Sequence, residues 1–226
     1  MALNPTDAFS AMAEDYDSIA RRGMPVYDEM LNAVMACLVD GARDVVELGC
    51  GTGALTVRLA QRFPAAAITA LDASPKMVDI ARGRLEAARA AERVTLRVGL
   101  FEEIDLAGGS CDLIASNMSV HHVLDKQPVY TKLREALRSG GMLVLGDEVQ
   151  SVLPHIEERF WNDWLEFARR PGGLTEPEVA EIIRHVDEID YYETLPRQIE
   201  LLSLAGFREV DCVWRKLNYT VFVAKP

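Results

Sequence analysis

The run Val45-Val46-Glu47-Leu48-Gly49-Cys50-Gly51-Thr52-Gly53 sets a carboxylate two positions before a glycine-rich turn. Such a turn, lying between an apolar strand and a helix, leaves helix N-terminal amides facing outward, where they take up a carboxylate or a phosphate. Side chains at Gly49, Gly51 or Gly53 would obstruct a ligand lying on the turn, and Glu47 is placed to help hold a cationic amino group. Asp72 ends the next apolar run, where a carboxylate can accept hydrogen bonds from both hydroxyls of a ribose. His121 and His122 follow a further apolar run. Imidazole titrates near neutrality, so the pair can act as a general base or support the reacting groups from behind. Asp147 and Glu148 end another run, as substrate ligands or as solvated strand ends. Tyr16 and the pair Tyr191-Tyr192 offer hydroxyls to a reacting centre or an amphipathic edge to the core. Arg169 and Arg170 read as a carboxylate clamp or as solvated cations at a helix end, and His155 and His185 as surface histidines.

Positioning these groups requires short buried strands. Apolar runs at residues 45–48, 67–71, 94–96, 112–115 and 142–145 are continuous rather than alternating, which suits a parallel sheet covered on both faces. Between them, residues 53–63, 75–89 and 126–138 carry apolar side chains at helical spacing, the second opened by Ser74 as N-cap and Pro75 in the first turn. Residues 207–214 and 219–224 are strand-like and too closely linked for a crossover helix, so they must pair antiparallel. A helix over 195–204 ends at Gly206. The expectation is an α/β, doubly wound, seven-stranded sheet, mostly parallel with an antiparallel C-terminal strand.

Two segments fall outside the alternation. Residues 151–190 hold Phe160, Trp161, Trp164 and Phe167 on one helical face, then a Pro171-Gly172-Gly173 break and a second helix from Thr175. This predicts a helical insertion after the fifth strand. Residues 1–40 predict two N-terminal helices, over 7–21 and 26–39, and with the insertion they can cover the carboxyl ends of the strands. The whole is read as one domain, since 226 residues with 49% apolar content suit one sizeable core.

A net charge of -11 argues against a broad phosphate-binding face, and so against nucleic acid as a partner. Arg82, Arg84, Arg89, Arg93 and Arg97 form a basic run at helical spacing, interleaved with Glu86 and Glu92, and read as a solvated face. Cys37, Cys50, Cys111 and Cys212 form no CxxC pair, so neither a disulfide framework nor metal ligands are read. The opening Met1-Ala2-Leu3-Asn4-Pro5 lacks the basic and apolar regions of a leader, and no apolar stretch is long enough to span a membrane, so a cytoplasmic location is expected.

Gly49, Gly51 and Ala54 also satisfy a loose dinucleotide fingerprint, which brings a nicotinamide cofactor into consideration. Glu47 is an odd neighbour for a pyrophosphate, and the antiparallel terminal pair is unlike an all-parallel dinucleotide half. S-adenosyl-L-methionine, with an amino-acid end and a ribose, fits better. The run 45–53 closely resembles the first motif of class I S-adenosylmethionine-dependent methyltransferases, and Leu71-Asp72-Ala73-Ser74-Pro75-Lys76-Met77 resembles the second. Residues 111–123, with Asn117 and His121-His122, are similar to the fourth-strand motif, residues 133–141 to the helix and turn before the fifth strand, and 9–17 to the lid of small-molecule members.

The resemblance implies that Gly49, Cys50, Gly51 and Gly53 hold the methionine portion, Glu47 indirectly its amino group, and Asp72 the ribose. It places Ala73 and Met77 beside the adenine and Asn117 beside the sulfonium. Where many members have an aspartate for the adenine amino group, this chain has Gly99-Leu100-Phe101-Glu102, leaving Glu102 or packing by Phe101 to replace it. The implied activity is methyl transfer to a small organic acceptor by in-line displacement, with His121, His122 and Tyr16 as candidate catalytic residues. The alternatives are diverted chemistry on the same cofactor, such as cyclisation of its aminobutyrate chain with release of methylthioadenosine, and a cofactor-binding pseudoenzyme serving as a partner subunit.

Overall fold

The computed structural model describes residues 4–226; residues 1–3, part of the segment read for a leader, lie outside the described residues. Strands β1 (Asp44–Leu48), β2 (Ala67–Asp72), β3 (Val94–Val98), β4 (Cys111–Asn117), β5 (Leu137–Glu148), β6 (Glu209–Lys216) and β7 (Tyr219–Lys225) form one sheet. Its order is β3-β2-β1-β4-β5-β7-β6. The first five strands run parallel, and β7 is antiparallel to both β5 and β6.

Alternation along each buried strand assigns side chains to two cores. Val45, Ile68, Leu113 and Val144 face α3 (Tyr27–Ala36), α4 (Ala54–Arg62) and α5 (Pro75–Ala87). Val46, Leu71, Ile114 and Leu143 face α6 (Lys126–Ala136) and α9 (Leu195–Leu204). Helices on both faces therefore bury both sides of the central strands, which is why their sequences lack polar alternation. Strand β3 lies at the edge, and Val98 there is exposed. After β1 the chain passes to β2 on one side and later returns to β4 on the other, so a crevice opens beyond the carboxyl ends of β1 and β4.

The start of α5 is as read: the Ser74 hydroxyl accepts from the Met77 amide, with Pro75 in the first turn. The helix expected over 126–138 stops at Ala136, because Leu137 already pairs with Cys111 and the Arg138 guanidinium, bonded to Asp44 and Asp112, holds the chain extended. The helix expected over 7–21 is two, α1 (Pro5–Met12) and α2 (Tyr16–Gly23), broken by a turn in which Asp15 N donates to Met12 O. The break allows each half its own anchor. Ser10 in α1 meets the Ser74 hydroxyl at 2.8 Å, and Asp17 in α2 accepts from Thr52 Oγ1 at 2.6 Å. Asp17 also pairs with Arg84, so that member of the basic run is not part of a solvated face.

The insertion is a helix pair, α7 (Pro154–Ala168) and α8 (Glu176–Ile189), the latter opened by a capping box between Thr175 and Glu178. It grips the end of α2: Trp164 Nε1 donates to Gly23 O at 3.0 Å, and Arg22 pairs with Glu178. Arg170 stacks on Phe167 and donates to Arg22 O, while Arg169 pairs with exposed Glu176, so neither arginine points to the crevice. No described helix is long and apolar enough to cross a membrane.

Because Asp17 ties α2 to the glycine turn through charged hydrogen bonds, Asp17→Ala should loosen the lid more than the sheet. We expect faster amide exchange across residues 5–23, as the lid's local opening becomes easier by about 1.5–3 kcal/mol, with unchanged exchange in β1, β4 and β5. Equal acceleration in the sheet would reject this division.

Candidate active site

The crevice closes into a cavity of about 560 Å³ bounded by the glycine turn, the ends of β2, β4 and β5, the lid helices and the insertion. Glu47, Gly49, Cys50, Gly51, Asp72, Ala73, Met77, Phe101, Glu102 and Asn117 all line it, as do Tyr16, His121 and His122. Gly53 does not. Its φ of +87° starts α4, and a Cβ there would lie 3.1 Å from Ala81, so the residue serves helix packing rather than ligand clearance. Gly49 also has a packing reason, since a Cβ would fall 2.3 Å from that of Ser119. At Gly51, with φ +49°, an added Cβ would meet nothing, and the turn is open to the cavity there.

Two buried oxygens in the lining, Glu47 Oε2 and Asn117 Oδ1, have no hydrogen-bond partner. Burial pushes the Glu47 carboxyl up to about 8; the adjacent Thr56 hydroxyl offsets part of this without closing a well-formed bond to Oε2, and the Asp72 charge adds to the rise. Unpaired acceptors at this end of the cavity suit an incoming cation such as the ammonium and sulfonium of an S-adenosyl amino acid. Asp72 is held by the Gly51 amide at 2.8 Å and the Ser74 amide at 2.9 Å, which fixes its carboxylate at the end of β2. Burial nevertheless raises its pKa, the backbone donors opposing. The lining residues thus fit the cofactor that the sequence implies.

At the other end stand His121, His122, Asp147, Glu148, Asp190 and Tyr192. His121 Nδ1 bonds Asp147, and although burial disfavours its charge, Asp147, Asp190 and Glu148 push it up to about 9. Burial and the His121 charge lower His122, against Asp190. Glu148 is pushed up to about 7 by burial, with His121 opposing. The Tyr192 hydroxyl donates to Asp190 Oδ2 at 2.7 Å and approaches Glu148 Oε2 at 3.5 Å. Tyr16 lies under α1 with Phe9, and burial raises its pKa, keeping the phenol protonated.

Asp190 was missed in the sequence because it belongs to the site only through long-range pairing. Tyr191 N donates to His121 O at 2.7 Å, and Gln150 bridges to Thr194, which draws residues 190–194 back beside β5. No local spacing carries that signal. His185, read as a surface residue, is buried on α8, 3.1 Å from Glu181 and edge-on to Phe9. His155 is exposed, as expected.

Residues 45–141 match the family described as Methyltransferase domain. The carboxy-S-adenosyl-L-methionine synthase of Chromohalobacter salexigens is 28% identical, the match covering 92% of this chain and 79% of the relative. The ubiquinone/menaquinone biosynthesis C-methyltransferase UbiE of Geobacter sp. (strain M21) is 27% identical, covering 73% of this chain and 72% of its own. Among solved structures, phosphoethanolamine N-methyltransferase 2 of Haemonchus contortus, in complex with S-adenosyl-L-methionine, is alike in fold. Its TM-score is 0.69 at 16% identity, covering 96% of this chain and 57% of that one.

A carboxyl whose folded pKa lies above its unfolded value loses folding free energy as pH rises between the two, here from about 4.5 to about 8. Glu47→Gln should therefore raise the Tm of the ligand-free protein at pH 8, by on the order of a few kcal/mol in stability, with little gain at pH 5. Equal Tm values for variant and parent at pH 8 would show the carboxylate to be solvated.

Proposed function

The chain belongs to the class I S-adenosylmethionine-dependent methyltransferases, and from that premise we propose that it transfers the methyl group to a small neutral or cationic organic molecule held beneath the lid. The acceptor class rests on the charge of the wall. Glu47, Asp72, Glu102, Glu148, Glu157 and Asp190 line the cavity, and among the described residues no lysine or arginine does. The His121 imidazolium is already paired with Asp147. An anionic acceptor would enter a low-dielectric space with no free cation to meet it, at a cost of several kcal/mol. The net charge of -11 likewise disfavours nucleic acid as acceptor.

When bound, S-adenosylmethionine supplies a methyl carbon activated by positive sulfur. The chain aligns the partners and excludes water. In this reading Gly49, Cys50 and Gly51 present the turn, Asp72 accepts from the ribose, and Glu47 and Asn117 face the charged end. Ala73, Met77 and Phe101 form the adenine slot, with Glu102 at its rim. Tyr16 serves as a hydrogen-bond donor from the lid, and Gly53 acts only through packing. An acceptor that carries a proton would lose it at the wall of His122, Glu148 and Asp190.

The relatives named carboxy-S-adenosyl-L-methionine synthases span most of the chain and supply a second reading, in which the product carries an added carboxylate. That group would have no lysine or arginine in the described lining to pair with, which favours simple methyl transfer. Incubation with S-adenosylmethionine and panels of amines, phenols and carboxylic acids, followed by chromatography, separates the readings. S-adenosylhomocysteine formed with amines or phenols is expected, while carboxy-S-adenosylmethionine, methylthioadenosine or turnover of acids alone would overturn the proposal. Asp72→Ala should weaken cofactor binding about ten- to a hundredfold, from the loss of charged hydrogen bonds worth roughly 1.5–3 kcal/mol, as measured by calorimetry.

A further inference from the structure

At the acceptor end of the cavity, three residues that can ligate a metal converge. One ring nitrogen each of His121 and His122 and an Asp190 oxygen all lie within 4.8 Å of one another. Asp190 Oδ1 is buried, 2.9 Å from His122 Nδ1 in an ion-pair contact that is not aligned as a hydrogen bond, and 3.9 Å from His121 Nε2. The Ile189 carbonyl approaches His122 Nδ1 only at 3.4 Å. A buried carboxylate oxygen facing two imidazole nitrogens is a donor set that a small cation can use.

The outer atoms of two ligands are already fixed. His121 uses Nδ1 to bond Asp147, which orients the ring, and a metal ion at Nε2 would take the place of the proton there. Asp190 uses Oδ2 to accept from Tyr192. Carboxylate support behind a histidine, and a hydroxyl behind a carboxylate, are the contacts that orient metal ligands and raise their basicity. The charge also calls for a cation: Asp147, Glu148 and Asp190 are gathered here, and the Lys126 ammonium, which acts on Asp147, is held by the Val123 and Tyr191 carbonyls.

We propose that His121, His122 and Asp190 bind one divalent transition-metal ion, zinc by preference. Two imidazoles and one carboxylate suit zinc, and three protein ligands leave a fourth position for water or substrate. All three residues line the cavity, so that position faces the acceptor. A hydroxyl or thiol bound there would ionise more readily near neutrality, which is work the crowded imidazoles are poorly placed to do alone. The metal site goes beyond the methyl-transfer reading and does not depend on it.

The test is zinc calorimetry and cobalt(II) absorption on the full chain after treatment with chelator. One ion per chain is expected, with cobalt d–d bands of a low-coordinate site. His122→Ala and Asp190→Asn should each weaken zinc at least about tenfold, and Tyr192→Phe by less. His185→Ala, outside the cluster, should leave zinc affinity unchanged. Each variant is checked for a cooperative thermal transition without metal. Absence of stoichiometric zinc and cobalt binding by the parent protein would overturn the proposal, as would affinity unchanged in both folded ligand variants. Formation of S-adenosylhomocysteine in chelator-treated protein is read separately, so failure of the metal site and failure of methyl transfer give different results.

Discussion

The constraint on which the rest of this structure depends is the burial of carboxylates at the carboxyl ends of parallel strands. Glu47 ends β1 nearly inaccessible and half unpartnered, and Asp147 and Glu148 end β5 under the same roof. A strand end in water would make such residues unremarkable chemically, because solvent would satisfy them. The lid and the insertion remove that solvent. Once it is gone, each carboxylate needs a proton, a cation or a donor, and the two ends of the cavity meet the need differently. At the β5 end His121 and Tyr192 are built in as partners. At the β1 end no lysine or arginine among the described residues lines the cavity, an arrangement that suits a ligand bringing its own positive charge.

How much of this was legible in the sequence follows from the range of the interactions. The glycine turn, Asp72 and the Ser74–Pro75 start of α5 are local features, each set by a few neighbouring residues, and they stand where their patterns put them. The terminal hairpin was legible for the same reason, since the link between β6 and β7 is too short for any other pairing. Asp190 and the Asp17–Thr52–Arg84 network were not, because each joins segments far apart in the chain. The sequence also suggested one role for three glycines where the structure has two. Gly53 and Gly49 make room for protein atoms, and Gly51 opens toward the cavity. Glycine codons in a motif do not distinguish close approach by a neighbour from close approach by a ligand.

The division between shared and individual parts of the molecule runs along the same line. The glycine turn and strands β1 to β4 belong to the matched region, residues 45–141, which ends early in β5. The opposite wall of the cavity, which we propose receives the acceptor, is assembled largely outside it, from Phe9 and Tyr16, from Trp161 and Trp164, which stack at 5.1 Å, and from the return segment at Asp190. Aromatic faces with carboxylates among them favour flat or cationic ligands. A family match confined to residues 45–141 therefore constrains this wall weakly, and relatives with different named products are compatible with one shared region.

Helix α2 ties these halves together mechanically. Its first turns are fastened to the glycine turn through Asp17, Thr52 and Arg84, and its last turn to the insertion through Arg22, Glu178, Gly23 and Trp164. One short helix anchored at both ends thus joins the glycine turn to the opposite wall of the cavity. The wall in turn carries Phe9 against His122 through α1, which Ser10 and Ser74 join to the ribose side. The same contacts cover both ends of the cavity, an arrangement that suits displacement at an activated methyl carbon, where water admitted at either end would compete with the intended nucleophile.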